Sequence, residues 1–374
     1  MNENYVTLGQ VCDKGSSNIA QKDLAEREGW YPIYGAAGLI KNVDFAHQKQ
    51  PYIAVVKDGA GIGRVMKLPA YSSVIGTMQY ILPKKNVDID YLFYALQHMN
   101  LGKYFSGSTI PHIYFRDYQK ERLKLPAMKV QQHQAEVLGR IDALSSDGRK
   151  QIDLLDELVK SRFVEMFGGI HDSVLYPYMT VDSFTKVTSG GTPDRNTPSY
   201  WENGKTRWVK TTELQNCVIC DTEEKITDEG VENSSAKMVP ANTILIAMYG
   251  QGKTRGMTGY LAIEGTTNQA CACILPSEEI NQRYLWQYMI LSYDKLRSMA
   301  KGGNQPNLNA GIIKSFPVLV PPLELQNRFA AFVAEVDKSK FLIQKSLAIS
   351  RMLWTLPKTD DIINVDFYAK ESLI

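Results

Sequence analysis

The sequence predicts an α+β protein made of two copies of one unit, each a β-rich domain followed by a single long helix. Three observations predict it. First, the chain repeats itself. Ile81-Leu82-Pro83 followed by Tyr91-Leu92 returns as Ile274-Leu275-Pro276 followed by Tyr284-Leu285, at an offset of 193 residues. Further on, Gly107, Pro111, Pro126, Gln131, Ala135 and Asp142 return as Gly302, Pro306, Pro321, Gln326, Ala330 and Asp337, at a constant offset of 195. Second, short β-branched apolar runs bounded by Gly and Pro occupy the early part of each copy. Third, an apolar stripe at helical spacing occupies the end of each.

In chain order, Tyr5-Val6-Thr7-Leu8 weakly echoes Tyr178-Met179-Thr180-Val181, which makes the second copy 20 residues longer. Residues 52–56 and 78–82 read as strands of the first copy, and residues 243–248 and 270–275 as those of the second. Pro126 and Pro321 mark the entries to helical sequence. From 127 to 167, Val137, Ile141, Leu144, Ile152, Leu155, Val159, Phe163 and Met166 recur at spacings near 3 and 4, and Gly168-Gly169 ends the run. At 1.5 Å per residue this helix is about 60 Å long. Gly148, beside Asp147, predicts a bend or local break there. Leu325, Phe329, Phe332, Val336, Ile343, Leu347 and Trp354 form the second stripe, which Pro357 stops. Two such seams are expected to bury each other as an antiparallel coiled coil with a pseudo-twofold axis. The expected boundaries are a first domain at 1–126, a first helix at 127–168, a second domain at 169–320, a second helix at 321–357 and a tail at 358–374.

Charge and cysteine usage narrow the class. The 374 residues carry 42 Lys+Arg against 40 Asp+Glu, a net charge of +2, which excludes a strongly basic nucleic-acid coat protein but not a basic stripe on one face. The first residues are polar and hold no signal-peptide core, and no apolar run approaches the length of a membrane span. Five cysteines, an odd number concentrated in one region, fit reduced thiols in a cytoplasmic protein.

Several motifs resemble chemistry without completing it. Ala247-Met-Tyr-Gly-Gln-Gly252-Lys253-Thr254 follows a strand as a phosphate-binding loop would. The glycines after it (Gly256, Gly259) make a poor helix start, and the matching loop of the first copy, residues 57–64, lacks Gly-Lys-Thr. A nucleotidase built on Gly252-Lys253-Thr254 is the weakest reading. What the copies share is a glycine-rich, cation-bearing tip between strands, able to approach a phosphate backbone or groove. Cys217, Cys220, Cys271 and Cys273 could supply four thiolates, but their spacing favours a role as buried small apolar residues, so no metal is expected. His47, His98, His112, His133 and His171 are scattered, with no nucleophile motif beside them. No Asn/Asp-Pro-Pro-aromatic motif of an amino-methyltransferase occurs. The chain reads as a binding protein, not an enzyme.

Ser189-Gly190-Gly191-Thr192-Pro193, then Tyr200-Trp201-Glu202-Asn203-Gly204, Trp208-Val209 and Thr211-Thr212-Glu213-Leu214 resemble the opening of a target recognition domain. The family is the specificity subunits of type I restriction-modification systems. Residues 28–36, from Glu28-Gly29-Trp30 onward, resemble another subclass of that domain. Residues 154–168 resemble the family's central conserved helix, and Val320-Pro321-Pro322-Leu323-Glu324-Leu325-Gln326 the start of its distal one. The resemblance implies two target recognition domains, each reading half of a bipartite double-stranded DNA site, with the helices setting their separation. It implies two methyltransferase subunits as partners, bringing S-adenosylmethionine, and restriction subunits that use ATP and Mg²⁺. This chain would hold no cofactor, and no membrane is involved. The acceptor would be adenine N6, flipped into the partner's pocket.

Base readout needs donors and acceptors on loops. The candidates are Lys57, Arg64, Gln79, Ser108, Thr109 and His112 in the first domain, and Thr192, Arg195, Lys210, Thr211, Gln251, Lys253, Arg255, Asn304 and Gln305 in the second. Residues 107–112 and 302–307 are the best-founded pair, since each copy places a Gly-led polar loop with a Pro there; a purely structural turn is the other reading. Leu144, Leu155, Val159, Phe163, Phe329, Val336 and Leu347 are the candidate spacer and partner-binding positions. The competing class is a scaffold that binds protein or carbohydrate through two β-rich domains on a rod. The low net charge predicts weak DNA binding alone and tight binding only when assembled.

Overall fold

The computed structural model describes residues 5–107, 111–250, 252–301 and 306–355. The chain divides into two compact units, residues 1–148 with 346–374, and residues 149–345. Both contain mixed helices and sheets, an α+β fold.

In the first unit, β1 (Tyr5–Thr7) pairs antiparallel with β9 (Arg122–Lys124). A four-stranded sheet runs in the order β2 (Cys12–Ser16), β8 (Met78–Pro83), β5 (Tyr52–Val56), β6 (Val65–Leu68). A smaller sheet holds β4 (Gly38–Val43), β3 (Tyr31–Gly35) and β7 (Ser73–Val74), with β3 and β7 parallel. Every residue of β5 is buried because both faces are covered. Ile53 and Val55 face the helix Ile89–His98 and its neighbours, whereas Tyr52, Ala54 and Val56 face Val74, Met78 and Tyr80.

The second unit follows the same plan. β10 (Tyr178–Thr180) pairs with β19 (Pro317–Leu319). The main sheet is β11 (Val187–Ser189), β18 (Cys271–Ile274), β15 (Thr243–Ala247), β16 (Thr258–Leu261), with β13 (Cys217–Ile219) added at the edge. The small sheet is β14 (Glu224–Ile226), β12 (Thr206–Val209), β17 (Thr266–Thr267), its last pair again parallel. Position by position, the strand orders of the two units correspond.

Two side-chain devices recur in both units, and the first fixes each long helix to its own domain. Gln131, buried at 1% exposure in the helix Met128–Phe167, accepts from the backbone N–H of Asp88 at 2.9 Å and donates to the Pro126 carbonyl at 2.9 Å. Gln326, equally buried in Leu323–Thr355, accepts from Asn281 N–H at 2.9 Å and donates to the Pro321 carbonyl at 2.7 Å. Asp88 and Asn281 are themselves the N-caps of the helices Ile89–His98 and Gln282–Leu291. Likewise Tyr91 Oη donates to Lys124 O at 2.7 Å and Tyr284 Oη to Leu319 O at 2.8 Å.

Two expectations about the helices need correction. The helix runs through Gly148 without the local break expected there, which leaves the bend as the surviving expectation. Gly148 and Ser145 lie on the buried face, so the small residues there follow the seam. Leu144 is 64% exposed and lies off it. Within the second unit, Val159, Phe163 and Phe167 of one helix and Phe329, Val333 and Val336 of the other share one core with Tyr284 and Tyr288. The Phe163 and Phe329 rings meet edge-on at 5.4 Å, and Leu155 packs partly buried against this cluster. Leu347 is half-buried. No helix among the described residues is long and apolar enough to cross a membrane.

Candidate nucleic-acid interface

In each unit a glycine-rich loop between two strands rests on the neck of a second loop. In the first unit, Gly59, Gly61 and Gly63 all adopt positive φ, which lets residues 57–64 turn tightly between β5 and β6. Ser106 and His112 exchange two backbone hydrogen bonds of 2.8 Å and close the second loop. The loops are tied together by Gly59 N–H to Pro111 O at 3.0 Å and Ile113 N–H to Lys57 O at 2.9 Å. His112 Nδ1 lies 2.6 Å from Asp58 Oδ1, and Lys57 Nζ lies 3.6 Å from Asp58 Oδ2. Arg64 donates to Ala36 O at 2.7 Å, so its guanidinium spans to the small sheet.

The second unit builds the same junction with other side chains. Lys301 and Asn307 close the neck with backbone bonds of 3.0 and 2.9 Å, and Leu308 N–H reaches Met248 O at 3.0 Å. Arg255 donates to the Pro306 carbonyl. Arg297 donates to Arg255 O at 2.6 Å and Gly252 O at 2.9 Å, while Tyr293 Oη donates to Lys253 O at 2.7 Å. Lys253 itself is exposed. The segment continues into strand β16, not into a helix, which removes the geometry a phosphate-binding loop requires.

The remaining candidates divide. Ser108, Thr109, Gln251, Asn304 and Gln305 lie outside the described residues. Gln79 does not reach the surface. It is 7% exposed beneath the loops and accepts from Tyr118 Oη at 2.7 Å. Thr192 donates to Gln269 beside the base of the glycine-rich loop, where Met248 N–H bonds Ala270 O at 2.8 Å. Thr211 opens the short helix Thr211–Glu213 and is half-buried.

Arg195 and Lys210 already have anionic partners. Arg195 pairs with Glu224 and stacks over Trp201 at 3.7 Å and Trp208 at 4.8 Å. Lys210 meets Glu223 at 2.7 Å and Glu224 at 2.9 Å. Arg195, with Lys210 second, holds the Glu224 carboxyl below the usual range; Glu223 and then Glu224 hold the Lys210 ammonium above its own.

Cysteine roles split as well. Cys271 and Cys273 are fully buried neighbours on one face of β18, and burial pushes both thiols up. Contrary to expectation, Cys217 and Cys220 are exposed: Cys217 opens the edge strand β13 and Cys220 directly follows it. Among the described residues no group of three His, Cys, Asp or Glu is placed to hold a metal.

Sequence reasoning missed two residues beside the first neck, Tyr114 and Arg116. His112 and Tyr114 rings stack at 6.4 Å and 23°, and Arg116 Cζ sits 4.8 Å from the Tyr114 centroid. The signal was the alternation of His112, Tyr114 and Arg116 around buried Ile113.

Comparison with known proteins decides the family. The profile described as type I restriction modification DNA specificity domain matches twice, over residues 2–154 and 176–349. The chain belongs to this family. Among curated relatives it is similar to the EcoR124I/EcoR124II specificity subunit of Escherichia coli, with 23% identity over 67% of this chain and 63% of that protein. It thus matches somewhat less than two thirds of that relative's length. The MjaIX specificity subunit of Methanocaldococcus jannaschii is 21% identical over 73% of this chain and 68% of that one. In fold the chain is similar to the S subunit of a type I restriction-modification system from M. genitalium, with TM-score 0.65, 16% identity and 94% of each chain covered.

Proposed function

We propose that the chain is the DNA-recognition subunit of a type I restriction-modification complex, itself without catalytic activity. The observation that carries this reading is the double match of the specificity-domain profile, one match in each half of the chain. Each domain, 1–126 and 169–320, reads one half of a bipartite, asymmetric double-stranded site. The paired loops at residues 57–64 with 106–112, and 248–257 with 301–307, present the contacts. Lys57, Arg64, His112, Lys253 and Arg255 are the described candidate readers at these junctions, with Lys301 a further cation at the second neck. The packing of Phe163 on Phe329 supports reading the two long helices as an antiparallel coiled-coil spacer between domains related by a pseudo-twofold axis.

The same helices dock two methyltransferase subunits and, through them, restriction subunits. Exposed Leu154, Leu158, Phe341 and Leu342 supply apolar surface for this on the second unit's helical segments. S-adenosylmethionine, ATP and Mg²⁺ are bound by those partners. The test is reconstitution. The purified chain alone should transfer no methyl groups to DNA, and adding the methyltransferase subunits should give adenine methylation at one bipartite motif. Methylation by the chain alone, or a motif unchanged when this chain is exchanged for another family member, would overturn the reading.

A further inference from the structure

We infer that His112, Tyr114 and Arg116 form a stacked ladder on the first unit that grips the sugar-phosphate backbone of duplex DNA beside the loop neck. The inference rests on the DNA-recognition reading and adds a contact to it. Residues 112–114 are extended, so alternate side chains leave opposite faces. Ile113 points inward at 1% exposure, while His112 and Tyr114 face out. The short helix Phe115–Tyr118 then brings Arg116 back over the Tyr114 ring, 4.8 Å from its centroid.

The ladder is anchored at its base. His112 is held by its two backbone bonds to Ser106 and by Asp58 at 2.6 Å, and Asp58 is balanced by Lys57. At the outer end, the Arg116 side chain is 77% exposed. Its carboxylate neighbour among the described residues, Asp117, lies 3.7 Å from Nε, which leaves the terminal nitrogens facing solvent. A guanidinium laid on a ring keeps its edge donors free in a fixed fork, the geometry that suits phosphate oxygens. Its position matters too. The ladder stands beside the Ser106–His112 neck, next to the loop 57–64 that is tied to it, where a phosphate contact would position the duplex for base readout by neighbouring loops.

The second unit has no counterpart. At the 195-residue offset, Asn307, Asn309 and Gly311 replace His112, Tyr114 and Arg116, and Asn309 is committed to capping Ile312 N–H at 2.9 Å. The ladder therefore adds a backbone contact to one half-site alone. Arg116 is the contacting residue; Tyr114 and His112 position it.

The experiment measures binding of the methyltransferase-assembled complex to a short mixed-sequence duplex over a salt series. Each phosphate contact contributes about 0.9 to the slope of log K against log salt. Arg116→Ala should lower that slope by about 0.9, and Arg116→Lys should restore it. Tyr114→Ala should weaken binding, whereas Tyr114→Phe, which keeps the ring, should not. If the wild-type complex binds with a steep slope and Arg116→Ala leaves it unchanged, the ladder is wrong and the DNA reading stands. If the wild-type complex shows no salt-dependent binding, the DNA reading fails and the ladder with it.

Discussion

At the scale of single residues, the Ser-Gly-Gly-Thr-Pro motif is a packing device. A methyl group on Gly190 would sit 1.9 Å from the Thr267 carbonyl oxygen, and one on Gly191 would sit 2.1 Å from Ser235 Oγ. Trp208 Nε1 donates to Gly191 O at 2.9 Å and Trp201 Nε1 to Asp194 O at 2.9 Å, with the two indoles edge-on at 5.1 Å. The motif joins the small sheet to the main one, which explains why those residue types stand together. His171 offers a test of its own. It lies against Tyr288 and Phe316; burial, then the Lys295 charge, lowers its pKa below the ordinary imidazole value. The fold therefore favours the neutral ring. Its contribution is present above the unfolded pKa of about 6.5 and is lost as pH falls below it through the lowered folded value. The unfolding midpoint should drop as pH falls below about 6.5, and His171→Asn should make that drop smaller. An equal pH dependence in the variant would show that His171 is not its source.

Between elements, the repeated glutamine is the clearest dependency. Gln131→Leu would strip the partner from Asp88 N–H and from the Pro126 carbonyl at the start of the long helix, at a cost of about 1–3 kcal/mol. Hydrogen exchange at residues 88–98 should accelerate; unchanged protection would contradict the role. Sequence spacing revealed that Gln131 and Gln326 correspond, because a one-residue offset would have broken the repeat. It did not reveal what they bond, because the partners lie 43 and 45 residues upstream. Leu144, counted in the apolar stripe, is exposed. Counting apolar residues passes over Ser145 and Gly148, which hold the buried face by being small. Gln79 looked like a readout residue because polarity is visible in a sequence and burial is not. The charge pairs Arg195–Glu224 and Lys210–Glu223 were equally hidden, since the partners stand 29 and 13 residues away.

For the whole molecule, the two halves share strand orders and differ at their loop junctions. Exchanging residues 172–320 for the matching segment of another family member should change one half of the methylated motif and leave the other intact. Mapping modified adenines reads this out, and a change in both halves would contradict two independent readers. Arg195, Lys210, Arg207 and Lys225 are matched to Glu223, Glu224 and Asp221, so this one cationic patch of the second unit is engaged within the unit. The loop necks have a different consequence. Ser106 with His112, and Lys301 with Asn307, close their loops through backbone groups that every residue except proline supplies in full. The closure itself therefore tolerates replacement of the four side chains that stand at it, while Gly107, at positive φ, stays tied to glycine.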